Sequence, residues 1–269
     1  MLRTRRRGGK IPSIDVGSLE VGYGGKPVLK DIDLHMDESK LYCIIGPNGV
    51  GKSTLIKCMN GLLKPTSGTV AINGKDIKEY STRELSECIG YVPASSGMSF
   101  PMSVIDSLLV ALDSGHKWKL DDDDIELAYR SLRVMNMNDC ALRGCNELSA
   151  GQMQKVSLCR GLVRKSGILI LDEPTSNLDV RHQLFITNFL QLLAHKSGNL
   201  VVMISHDLNL ASRFADEVVV MCEPGRIYAV GKPSEVITEK MISEVYSVES
   251  RIIDDDGRPH IILKSAESW

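Results

Sequence analysis

Gly46-Pro47-Asn48-Gly49-Val50-Gly51-Lys52-Ser53 constrains this chain more than any other stretch. It fits G-x-x-x-x-G-K-[ST], follows the apolar run Leu41-Tyr42-Cys43-Ile44-Ile45 and precedes a helix expected over 52–61. Glycines let the backbone wrap tightly with its N–H groups turned inward. The following helix adds its positive end, so the segment is a ready-made nest for a polyphosphate. Lys52 is placed to reach β and γ phosphates, and Ser53 to offer a hydroxyl to Mg²⁺, an ion that prefers hard oxygen ligands.

A second apolar run, Ile168-Leu169-Ile170-Leu171, ends in Asp172-Glu173. A buried strand that delivers two carboxylates at its C-terminal end puts them where open α/β sheets bind ligands. Asp172 is the candidate Mg²⁺ ligand, direct or through water. Glu173 is the candidate general base, oriented to deprotonate an attacking water. The blander alternative is that one acid caps the turn at Pro174.

Short apolar runs alternate with longer amphipathic ones, the pattern of an α/β fold. Residues 14–23 and 28–36 alternate apolar with polar, with Ile32, Leu34 and Met36 turned inward, as in half-buried antiparallel strands. Residues 41–45, 168–171 and 200–204 are continuously apolar, as in parallel strands buried on both faces. Helices are expected at 52–61, 103–113, 124–136, 150–164 and 181–195. The carboxylates Asp121 to Asp124 read as a helix start, where the dipole favours negative charge. The division expected is a basic tail over 1–13, a main domain over 14–232 with a helical subdomain near 95–165, and a small appendage over 233–269. That appendage reads as a short helix, 241–246, and two strand-like runs split by Asp254-Asp255-Asp256-Gly257.

Composition narrows the class. The 269 residues carry 32 Lys and Arg against 34 Asp and Glu, a net charge of -2, which leaves no basic surplus for nucleic acid outside Arg3, Arg5, Arg6 and Arg7. No apolar run approaches the ~20 residues of a membrane-spanning helix. The seven cysteines are scattered without a C-x-x-C pair, which reads as a reduced, cytosolic chain rather than a disulfide or metal framework.

Leu148-Ser149-Ala150-Gly151-Gln152 has the S-x-x-Q spacing of a helix capping box, which alone would explain it. Together with the 46–53 loop, Asp172-Glu173, Ser176-Asn177-Leu178-Asp179 and Ser205-His206-Asp207, however, it resembles the ATPase subunits of ABC transporters in order and spacing, over roughly Ile14 to Met221. The resemblance implies a P-loop NTPase fold: a parallel-sheet core, an amino-terminal antiparallel β subdomain and a helical subdomain. It also implies ATP and Mg²⁺, and a head-to-tail homodimer in which Ser149, Ala150, Gly151 and Gln152 of one copy cover ATP held by Gly46 to Ser53 and Thr54 of the other. By the same resemblance Tyr23 stacks on adenine, His206 contacts the γ-phosphate and Asp179 lies in the loop linking the two sites. Ile89-Gly90-Tyr91-Val92-Pro93 leads, in this family, to a glutamine that touches Mg²⁺. Here Ala94 stands in that place, with Ser95 or Ser96 as possible substitutes.

Thr82-Arg83-Glu84-Leu85, the Phe100-Pro101 run, Asp207-Leu208-Asn209-Leu210-Ala211 and the tail from Gly231 are similar to the importer class for iron-siderophore complexes, haem and cobalamin. That class implies a separate membrane permease, an extracytoplasmic binding protein acting through it, and a place on the cytoplasmic face of the membrane. Phe100, Pro101 and Met102 are candidates for the permease contact, or equally core and loop residues. The competing expectation is a soluble ATPase of the same superfamily in a nucleic-acid or translation process, or an importer subunit for another cargo.

Overall fold

The computed structural model describes residues 12–37, 39–94, 102–112, 120–164, 166–176 and 178–266, with the backbone alone for Tyr23 and Ala266. Residues 1–11 of the basic tail, Ser95, Ser96, Phe100, Pro101 and Asn177 lie outside the described residues, as does the Tyr23 side chain.

The elements run β1 (Ile14–Tyr23), β2 (Lys26–Met36), β3 (Leu41–Ile45), α1 (Lys52–Met59), β4 (Ser67–Ile72), β5 (Lys75–Asp76), α2 (Thr82–Cys88), β6 (Ile89–Val92), α3 (Val104–Leu112), α4 (Asp122–Val134) and α5 (Ala150–Leu162). They continue with β7 (Ile168–Leu171), α6 (Val180–Ser197), β8 (Leu200–Ile204), α7 (Leu208–Phe214), β9 (Glu217–Cys222), β10 (Arg226–Gly231), α8 (Pro233–Val236), α9 (Glu239–Tyr246), β11 (Val248–Asp255) and β12 (Arg258–Ala266).

One sheet has the order β10-β9-β3-β8-β7-β6. All its pairings are parallel except that of β10 with β9. Side chains alternate across it. Leu41, Cys43, Ile45, Leu169, Leu171, Val201 and Met203 join the core on the helical side, while Tyr42, Ile44, Ile168, Ile170, Leu200, Val202 and Ile204 join the core on the other. Both faces are therefore buried, which is why these strands carry unbroken apolar runs. The second core lies against an antiparallel sheet, β2-β1-β4-β5. There Ile32, Leu34 and Met36 point inward as the alternation requires.

Local chemistry sets the helix starts. Asp121 caps α4 by accepting from the Asp124 amide at 3.0 Å, while Asp124 accepts from Asp121 N–H, so the acidic cluster is a reciprocal capping box. The helix begins at Asp122, two residues earlier than its apolar period suggests. The helix expected over 52–61 ends instead at Met59, followed by Asn60 and by Gly61 at φ +73°. The carboxy-terminal segment contributes Val236, Ile237, Met241, Ile242, Val245 and Ile261 to the helical-side core. Asn209 of α7 bonds both the carbonyl and the amide of Ile261, at 3.2 and 2.8 Å, as a neighbouring strand would. This appendage thus shares the main core.

Candidate active site

Because β3, β8, β7 and β6 are parallel neighbours, their C-terminal ends lie along one edge of the sheet. That edge gathers the chemistry. Gly46 to Gly51 leave β3, Asp172-Glu173 leave β7, Ser205-His206 leave β8, and Pro93-Ala94 leave β6.

Gly51 takes φ +104° as the residue before α1, and a Cβ there would sit 2.6 Å from Leu29 Cδ2. Only glycine meets both demands at low cost. Val50 is buried in the core, while Asn48 and Gly49 form the exposed tip of the loop. Lys52 folds back so that Nζ donates to the carbonyls of Gly46 and Pro47, both at 2.7 Å. Burial depresses its pKa, opposed by the charges of Glu173 and Asp172. Lys52 is thus nearly buried over the loop, beside the half-exposed Ser53 and Thr54.

Ser53 Oγ donates to Asp172 Oδ1 at 3.1 Å. Burial raises the Asp172 pKa, the Ser53 bond lowers it, and the Glu173 charge raises it again. Glu173 adopts φ +50°, a left-handed conformation that costs a non-glycine residue roughly 1–2 kcal/mol. The turn that follows holds it: Ser176 N–H and Ser176 Oγ both donate to the Glu173 carbonyl, at 3.2 and 2.9 Å. Its side chain does not cap the Pro174 turn. It reaches across to β8, where Glu173 Oε1 lies 2.6 Å from His206 Nε2.

Ser149 is the N-cap of α5, with Oγ accepting from Gln152 N–H at 3.3 Å and Gln152 Oε1 accepting from Ser149 N–H at 3.1 Å. Ser149 and Ala150 are exposed. The helix end is therefore free to meet an anion from outside this copy. Asp179 is the N-cap of α6, accepting from the His182 amide at 2.9 Å, as an Asp directly before a helix often does. That backbone bond, followed by the His182 side chain, holds its carboxyl below the ordinary aspartate range. Ala94 is exposed at the end of β6.

A phosphate nest under a lysine, a serine against a buried aspartate, and a glutamate–histidine pair on the next strands define a P-loop nucleoside-triphosphatase site. The family profile described as ABC transporter matches residues 29–176, more than half of the chain. The chain belongs to this family: it is an ABC transporter ATP-binding subunit that hydrolyses ATP. It is 38% identical, over 93% of its length and 97% of the relative's, to an uncharacterized ABC transporter ATP-binding protein of Methanocaldococcus jannaschii. It is 36% identical, over 89% and 92% respectively, to a hemin import ATP-binding protein of Rhodopseudomonas palustris. Among solved structures, an inward-facing metal-chelate type ABC transporter overlays with a TM-score of 0.80 at 22% identity, covering 94% of this chain and 97% of that one.

Proposed function

We propose that this subunit powers the import of a metal-chelate compound, an iron-siderophore complex, haem or cobalamin, through a separate membrane permease. In this reading two copies associate head to tail. ATP held by Gly46, Pro47, Asn48, Gly49, Val50, Gly51, Lys52, Ser53 and Thr54 of one copy, with Tyr23 against the adenine, is covered by Ser149, Ala150, Gly151 and Gln152 of the other. The exposed α5 N-terminus supports this, because Ser149 and Ala150 stand open to a second copy.

Ser53 and Asp172 fit Mg²⁺: a hydroxyl and a carboxylate, 3.1 Å apart, are the hard oxygen donors that ion takes. Bound there, the ion would neutralise charge developing on the phosphate oxygens. Glu173 orients and deprotonates the attacking water, and His206 holds Glu173 and meets the γ-phosphate. Lys52 exchanges its two carbonyl partners for phosphate oxygens. Asp179 stands in the segment linking the two sites.

The observation that carries the transporter reading is a cleft of about 1230 Å³ between the antiparallel-sheet side and the helical subdomain. Lys64, Lys78, Arg160 and Arg164 line it, and none of its lining residues among those described is an Asp or Glu. Leu62 and Val110 stand exposed at its walls. The Asn60 Nδ2 and Arg160 Nε donors are buried there without a hydrogen-bond partner among the described residues. Met102, a candidate permease contact from the sequence, is part of the lining. Such a cleft suits an amphipathic helix that brings apolar anchors and acceptor groups. The subunit would then sit on the cytoplasmic face of the membrane through its permease, with an extracytoplasmic binding protein acting indirectly. The similarity to a hemin import protein supports the cargo class.

The test is affinity capture of the ATP-loaded Glu173→Gln protein from detergent-solubilised membranes of its host. Recovery of a polytopic permease, with or without an extracytoplasmic binding protein, is the expected result. Recovery of ribosomal or DNA-repair proteins alone would overturn the importer reading in favour of a soluble ATPase of the same superfamily.

A further inference from the structure

The segment that carries Glu173 is gripped by the helix whose exposed end is read above as covering the partner's nucleotide. Gln154 lies in α5, five residues from its cap, and is buried. Its Nε2 donates to the carbonyl of Pro174, also buried, at 3.2 Å. Pro174 is the residue bonded to Glu173. A second contact repeats the link. A Cβ on Gly151, in the first turn of α5, would lie 3.2 Å from Leu178 Cδ2, so the helix start is packed closely against Leu178. Gln183 of α6 closes the other side by donating to Thr175 O at 3.3 Å.

We infer that Gln154 is a positioning residue that sets Glu173 according to what α5 meets at its exposed end. The inference rests on the head-to-tail dimer proposed above. A buried carbonyl needs its donor, so Pro174 follows Gln154 when α5 shifts. Glu173 sits at φ +50°, where its conformation depends on what surrounds it. The relay is short: Ser149 and Gln152 at the helix end, Gln154 one turn in, Pro174 across the bond, then Glu173. Occupancy of the partner's site thereby adjusts the base in this one, and hydrolysis at the two sites is coupled. Two discrete placements of α5 are all the coupling requires.

Gln154→Met keeps the length and volume of the side chain and removes the donor, whereas Gln154→Lys restores one. With the full-length protein, Gln154→Met is expected to lower kcat roughly ten-fold and to bring the Hill coefficient for ATP toward one. ATP affinity should stay within about two-fold, because no phosphate contact is lost. Gln154→Lys should recover most of kcat and of the cooperativity. A Met variant with the parent's kcat and Hill coefficient overturns the inference, and so does a Lys variant as impaired as the Met one. If Gln154→Met fails to fold, Gln154→Leu, of similar volume and without a donor, takes its place under the same expectations. The dimer is checked separately by size-exclusion chromatography of ATP-loaded Glu173→Gln protein. A monomer there overturns the dimer reading itself; a dimer combined with unaltered Gln154 variants overturns this inference alone.

Discussion

Glu173 Oε1 and His206 Nε2 are 2.6 Å apart, although the two residues are separated by thirty-three positions in the chain. Adjacent parallel strands bring them together. Leu171 pairs with Met203, so the residues two and three places beyond those positions emerge side by side at the sheet edge. With Nε2 donating, the imidazole fixes the direction of one carboxylate oxygen and leaves the other free for a water.

That arrangement separates the two side chains by role. Glu173→Gln is expected to lower ATP turnover at least ~10²-fold while leaving ATP binding intact and holding the dimer closed. His206→Ala should reduce kcat as well, since the base loses its orienting partner. Steady-state ATPase assays paired with equilibrium nucleotide binding check both. Parent-level turnover in Glu173→Gln would remove Glu173 from the role of base.

Asp172 gives a pH-dependent prediction. Burial holds its pKa above the ordinary aspartate value, so the native state binds this proton more tightly than the unfolded chain does. Stability therefore falls as pH rises through the interval between the two values, and the cost is complete above the native one. Asp172→Asn removes the charge while its amide oxygen can still accept from Ser53. Lys52 keeps Glu173, the larger of the two charges that support it, and both loop carbonyls. The nucleotide-free Asp172→Asn protein should melt higher than the parent near pH 8, with the gap closing toward about pH 4, and should lose Mg²⁺-dependent ATPase. A gap that widens on acidification would reverse the assignment.

The order of the site along the chain was legible because each part carries its own local signal. Leu41 to Ile45 reads as a strand buried on both faces, and the eight residues after it read as an anion nest. The same physics left α2 unseen. Its residues Thr82 to Cys88 include none that is buried, so no apolar period marks it. Strand β4, Ser-Gly-Thr-Val-Ala-Ile, buries only Val70 and Ile72 and shows a correspondingly weak alternation. The left-handed backbone of Glu173 and the bond from Gln154 to Pro174 depend on how the surrounding elements are packed, and no local pattern encodes them.

The cysteines make a separate check on the core. Burial pushes the Cys58 thiol up to about 11 and that of Cys159 up to about 12. Cys43, Cys140 and Cys145 are buried as well, whereas Cys88 and Cys222 are partly exposed. Thiolate is the reactive form, so alkylation of the native protein near neutral pH should be confined to Cys88 and Cys222, and all seven should react after denaturation. Peptide mass spectrometry after a short iodoacetamide pulse reads the sites directly. Early modification of Cys159 would mean that the helical-side core opens far more readily than its packing implies.

Ala94 departs from the pattern of the resemblance, as Ala150 does more mildly, and its position makes the departure testable. Val92 pairs with Leu171, and Asp172 N–H donates to the Val92 carbonyl at 2.8 Å, so Ala94 leaves the sheet beside Asp172 and Glu173. Its methyl group can neither coordinate nor donate. A glutamine there would supply an amide oxygen and two N–H donors at the edge where the Mg²⁺ ligands Ser53 and Asp172 are proposed. Ala94→Gln is therefore expected to lower the Mg²⁺ concentration for half-maximal ATPase by roughly ten-fold, the scale on which residues supporting a metal's ligands act. In the complex assembled with its permease, the variant should also change how strongly transport activity tracks hydrolysis. Identical rate, Mg²⁺ dependence and coupling in parent and variant would show that the site is organised without a side chain at this place, and that the alanine costs the enzyme nothing.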